Sequence, residues 1–228
     1  MIRQSSDNEW HCVLERWPAP EDEGVKFRLV YDGELPSEQR STAFTKHTIR
    51  KQLHPQLKAL WEQDPLLSHI GRDTLSGTQK IDLLADDFAM CGYRFVPLVR
   101  QIAYTACRLD ILVLLRDEPF SVFSGGSRNA GDLDNRIKTL IDGLRMPRQC
   151  SELAGEPPAA GENPFFCLLD DDRLVYEFTV RSDRLLAPPR PDQAVRDVVA
   201  IIGVHVTNDL GAEMPHRRGT FDRLRTPR

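Results

Sequence analysis

Two short stretches hold the residues best equipped for chemistry: Gly131-Asp132-Leu133-Asp134-Asn135-Arg136-Ile137-Lys138 and Leu169-Asp170-Asp171-Asp172-Arg173. Asp132 and Asp134 stand two apart at an expected loop-to-helix junction. An extended backbone there sends both carboxylates to one side while Leu133 turns to the core. Lys138, four residues beyond Asp134, swings an ammonium back over the same spot from the next helical turn. Asp170, Asp171 and Asp172 crowd the mouth of a strand. Carboxylates so close repel unless a cation neutralises them, and hard oxygen ligands suit Mg²⁺, with Mn²⁺ the alternative. Each feature also has an ordinary counterpart. Aspartate is a favoured helix N-cap, Asp134 and Lys138 have the spacing of a routine i,i+4 ion pair, and an Asp run also makes a solvated turn.

The elements that must position these residues can be read from hydrophobic periodicity. Phe27–Val30 reads as a first strand, closed by a turn at Asp32-Gly33 and Pro36. From Ala43 on, Ile49, Leu53, Leu57, Leu60 and Trp61 recur at helical spacing, with Pro55 expected to kink or divide the helix near His54. Lys46, Arg50, Lys51 and Lys58 form a basic face, either a solvated surface or a set of phosphate contacts, and His47 and His54 are read as surface residues. A second amphipathic segment over 79–90 carries Ile81, Leu84 and Phe88. Tyr93–Val99 and Ala106–Leu115 read as strands. A glycine-rich loop over 124–131, containing Arg128, lacks the Lys-Ser/Thr ending of a P-loop. It leads into a helix over about 133–144 with Leu133, Ile137, Leu140, Ile141 and Leu144 on one stripe. Residues 145–166 read as an exposed Pro- and Gly-rich excursion, followed by closing strands at about 173–180 and 198–207. The result is an α/β chain of the α+β type: an acidic N-terminal arm over 1–25, one domain over 26–208 with insertions at about 62–92 and 145–166, and an Arg-rich tail over 209–228.

The 228 residues carry 30 Lys+Arg against 34 Asp+Glu, so no strongly basic domain announces a nucleic-acid binder. No apolar run approaches the roughly 20 residues that cross a bilayer. The N-terminus lacks an apolar signal core, and a cytoplasmic location is expected. The five cysteines, Cys12, Cys91, Cys107, Cys150 and Cys167, include no CxxC pair, so reduced thiols are expected rather than a disulfide framework or thiolate zinc site.

Asp132-Leu133-Asp134-Asn135 followed by Lys138, then an acidic pair with an aliphatic residue three positions on at a strand start, resembles the RusA family of Holliday junction resolvases. The order of elements is similar as well. The resemblance spans roughly residues 26–208. It implies a homodimer, a single RusA-like domain with a mixed sheet packed by helices, and Mg²⁺-dependent paired nicking of four-way DNA junctions. Carried over by position, it implies Asp132, Asp134 and Asp172 as metal-binding acids. Asp171 is the alternative in the other register, and Lys138 is the partner at the scissile phosphate. Candidate DNA contacts are Lys46, Arg50, Lys51 and Arg128, together with the arginines of the tail. A branched-DNA-binding or regulatory protein on the same scaffold is the non-catalytic alternative. A nucleotide-sugar transferase reading of Asp-Leu-Asp is disfavoured because no Rossmann fingerprint precedes Asp132. A DxDxT phosphatase is disfavoured because Arg136 stands where threonine is required.

Overall fold

A computed structural model describes residues 3–4, 10–11, 24–72, 74–75, 78–115, 130–187 and 197–207. Along the chain its main elements are β1 (Val25–Glu34), α1 (Ala43–Gln63), α2 (Pro65–Arg72), α3 (Lys80–Asp87) and β2 (Ala89–Met90). They continue with β3 (Tyr93–Val99), β4 (Ala106–Leu115), α4 (Ala130–Leu144), β5 (Phe165–Leu169), β6 (Val175–Arg184) and β7 (Asp197–Thr207). This is the α+β class that the sequence pattern implies. The glycine-rich loop as far as Asn129, including Arg128, and the Arg-rich tail lie outside the described residues, as does most of the N-terminal arm.

Four strands form one mixed sheet in the order β6-β4-β7-β1, with β4 and β6 parallel and β7 antiparallel to both of its neighbours. Three more form a second mixed sheet, β2-β3-β5, in which β3 and β5 run parallel. Alternation explains the first sheet: Leu109, Ile111 and Val113 of β4 and Ala200, Ile202 and Val204 of β7 are buried on one face. Against it pack Ile49, Leu53 and Leu57 of α1 and Ile137, Leu140 and Leu144 of α4. Helices α1 and α4 approach closely at Gly143, where a Cβ would stand 2.5 Å from Ile49 Cγ2. A smaller cluster of Tyr93, Phe95, Leu153, Phe165 and Cys167 fills the second sheet.

Several sequence expectations are corrected. The turn expected at Asp32-Gly33 lies inside β1, which runs on to Glu34. Pro55 does not divide α1, which is a single helix of 21 residues. His47 and His54 are buried rather than on the surface. Residues 145–166 are not a detached excursion: Arg145 and Leu153 are buried, and Cys150–Leu153 forms a 3₁₀ turn against α1. The cysteines are not all thiols, because Cys91, in the β2–β3 turn, is joined to Cys150 by a disulfide. No spacing rule finds a pair 59 residues apart, since the bond depends on tertiary proximity. Cys107 and Cys167 are free and buried; burial raises the Cys107 thiol to about 12.

The two outer strands of the large sheet differ. On β1, Gln56 Nε2 donates to Val30 O at 2.7 Å while its Oε1 accepts from Val30 N at 2.9 Å. Gln52 does the same with Asp32, at 2.9 and 3.2 Å. These two α1 side chains satisfy backbone groups of β1 beyond those that pair with β7. Among the described residues, no strand pairs with the outer side of β6.

Candidate metal and nucleic-acid site

The acidic turn and α4 are neighbours. At the end of α4, Met146 N donates to Leu169 O at 2.8 Å, which ties the helix exit to the last residue of β5. The chain then passes through Asp170 and Asp171 into a 3₁₀ turn over Asp172–Leu174 that packs on α4. Leu174, buried between the two, anchors the turn.

Asp171 caps that turn, accepting from Arg173 N at 2.9 Å. It also takes a bidentate pair from the Arg173 side chain, at 2.8 Å from Nε and 3.0 Å from Nη2. The Arg173 guanidinium, more than any other group, holds the Asp171 carboxyl well below the usual carboxylate range. Asp172 accepts from Arg148 Nη2 at 2.9 Å, and the same nitrogen lies 3.5 Å from Asp171 Oδ2. Arg145 Nε is 3.9 Å from Asp172 Oδ2. Asp170 faces inward: its Oδ2 accepts from Gln101 N at 2.9 Å, and its Oδ1 is buried without a hydrogen-bond partner. Burial raises the Asp170 carboxyl.

The first acidic pair departs from expectation. The helix begins at Ala130, so Asp132 and Asp134 both have helical backbone. Positions two apart on a helix lie roughly 200° apart around its axis, and the extended-chain convergence does not apply. The side chain of Asp132 lies outside the described residues. Asp134 is 77% exposed and pairs with Lys138 Nζ at 3.4 Å, the i,i+4 pair that its spacing allows. Leu133 packs on the core as expected. It also lines an open cleft of about 570 Å³ with Leu112, Val180, Arg181, Ser182 and Asp183.

The basic face of α1 is engaged elsewhere in the fold. Arg50 is 1% exposed and cannot reach a phosphate backbone. Its Nε donates to Arg145 O at 2.8 Å, its Nη1 to Glu152 O at 3.1 Å, and its Nη2 to Asp142 O at 3.0 Å and Glu152 Oε2 at 3.1 Å. Lys46 is ion-paired with Asp142 and Lys51 with Glu156. Burial acts to raise the Asp142 carboxyl, but Lys46 and Arg145 outweigh it and hold Asp142 below its ordinary range. Arg50 sits on one stripe with His47, His54, Leu57 and Trp61, all of them buried, so the heptad-like spacing contained the signal.

Donor chemistry suits Mg²⁺: Asp171 and Asp172 offer adjacent hard oxygens, and guanidinium groups supply their positive charge here. Among the described residues, no three His, Cys, Asp or Glu side chains are gathered closely enough to hold a metal ion. Nor is any helix among them long and apolar enough to cross a membrane. Sequence reasoning missed Arg148, which reaches the acidic turn only because the 145–166 segment folds back on the domain.

The chain matches no family model, curated protein or solved structure.

Proposed function

We propose that the chain is a cytoplasmic, Mg²⁺-dependent endodeoxyribonuclease that acts on branched DNA, resolving four-way junctions by paired phosphodiester hydrolysis. One observation supports the reading: the Asp170–Leu174 turn packs against the helix bearing Asp132, Asp134 and Lys138, meeting it at its Arg145 end, roughly 16 Å along the axis from Asp134. In this reading Asp171 and Asp172 offer the ion its oxygens, and Asp132 and Asp134 are the further acids that the resemblance assigns. Bound there, the ion would polarise the phosphodiester and lower the pKa of a water. Asp171 is kept ionised by Arg173 and is ready to accept a cation without losing a proton. Lys138 and Arg148, both solvent-accessible cations, neutralise phosphate charge as it builds. Their contacts to the backbone position DNA without reading its sequence.

The test is incubation of the full chain with a synthetic four-way junction, with and without Mg²⁺. Cleavage should require the ion and fall by about 100-fold or more in Asp134→Asn and Asp172→Asn, while junction binding persists. No cleavage by the parent chain at any Mg²⁺ concentration rejects hydrolysis.

A second reading, a branched-DNA-binding or regulatory protein on the same scaffold, is favoured by a specific feature. Asp134, Asp171 and Asp172 are each matched by Lys138, Arg148 or Arg173 instead of being left to a shared ion. Junction binding without nicking selects it.

A further inference from the structure

An outer strand with open backbone groups is a template for another strand, and folded proteins block such edges or use them. Here β1 is blocked by Gln52 and Gln56, and β6 has no equivalent cover among the described residues. The protection on β6 is limited to its charged side chains, Glu177, Arg181, Asp183 and Arg184, and a bulge. It contains no proline and no lysine, and its one register shift falls at its start, between Val175 and Glu177. From Glu177 to Arg184 it pairs regularly with β4 and displays Phe178 at 52% exposure.

We propose that β6 is a self-association edge, pairing antiparallel with β6 of a second copy across a twofold axis at Thr179. The occupant follows from the strand's own charge pattern. With the axis at Thr179, Glu177 stands opposite the partner's Arg181, and Phe178 stands opposite the partner's Val180, each contact occurring twice. Opposite-charge and aromatic–β-branched cross-strand pairs are the favoured ones. Moving the axis to Val180 sets Glu177 against the partner's Asp183, two like charges, and moving it to Phe178 or Arg181 gives Glu177 no opposite charge, so the Thr179 register is the favoured one. Arg181 already lies on the side of the sheet where it meets Asp110, at 3.1 Å, and both side chains remain more than half exposed. The joined sheet has eight strands, with the Gln-sealed β1 at each end.

The edge also borders the candidate site. Val180, Arg181, Ser182 and Asp183 line the open cleft together with Leu133, which lies between Asp132 and Asp134. A second copy laid along β6 brings the two α4 starts to opposite flanks of one continuous sheet. This inference gives the homodimer implied by the resemblance a defined surface, and it does not depend on hydrolysis. Association is measured without DNA, so a cleaving monomer and a non-cleaving dimer separate the two claims.

The experiment is sedimentation equilibrium of the full chain and its charge variants. The parent should dimerise, and Glu177→Arg and Arg181→Glu should each weaken the dimer roughly tenfold or more, because two cross-strand pairs become repulsive. An equimolar mixture of the two variants should restore a heterodimer, and so should the double exchange as a homodimer, since each recreates both opposite-charge pairs. Thr179→Cys, which places the new thiol on the axis, should cross-link the dimer under mild oxidation. A monomeric parent, a dimer indifferent to the single reversals, or no recovery on mixing overturns the proposal. Should Arg181→Glu fail to fold through loss of Asp110, Glu177→Arg and the Thr179→Cys cross-link decide it.

Discussion

Two arginine–carboxylate clusters lie about one helix exit apart and have opposite characters. Around Arg50, the guanidinium is buried and every bond it makes is internal: three backbone carbonyls and Glu152, with Arg145 adding a second contact to Glu152 at 3.1 Å. Around Asp171 and Asp172, Arg148 is 52% and Arg173 67% exposed, and the pairs face solvent. The same chemical groups thus hold the fold together in one place and remain exchangeable in the other. Desolvation separates the two roles. It lowers the Arg50 pKa, and removing the side chain would take that donor from three carbonyls and leave Glu152 to Arg145 and the Arg148 backbone.

The largest expected effect breaks the buried cluster. Arg50→Met should destabilise the protein by about 3–5 kcal/mol in denaturant unfolding, because truncation removes a buried guanidinium that serves three carbonyls and Glu152. A loss under about 1 kcal/mol would show that the cluster is wet.

A second measurement follows from the histidine beside it on the same stripe. Burial, reinforced by Lys51 and Arg50, lowers His47 from 6.5 to about 4, and its Nε2 lies 3.1 Å from Tyr93 Oη. The unfolded chain takes up this proton at a higher pH than the folded one. Stability contributed by neutral His47 is therefore complete above pH 6.5 and is lost as pH falls toward 4, by up to about 3 kcal/mol. His47→Gln should flatten that part of the stability–pH curve.

The smallest effect sharpens the contrast. Arg148→Ala should cost less than about 1 kcal/mol of stability, as exposed ion pairs do, and a clear loss of stability would assign Arg148 to the structural cluster.

Much of the architecture was legible because it is periodic. Strands β3 and β4 were read at their observed limits, and α4 was read to its last residue, since alternation and the Leu133–Leu144 stripe each reflect one buried face. The buried role of Arg50 is legible in its position and not in its charge, because its spacing from Leu57 and Trp61 puts it on the inner stripe. Asp134 and Lys138 were found as a pair, but their geometry depends on where the helix begins, and the run from Ala130 shows no sharp stop signal before Asp132. Arg148 was illegible on physical grounds. Its contact with Asp172 spans 24 residues and depends on a segment rich in proline and glycine, whose path is set by Leu153, Glu152 and the disulfide rather than by any repeat.

The bond between Cys91 and Cys150 closes a covalent ring that contains β3, β4 and the whole of α4. A backbone break anywhere inside that ring leaves both pieces attached, so a nicked molecule keeps its mass and each half stays within reach of the other.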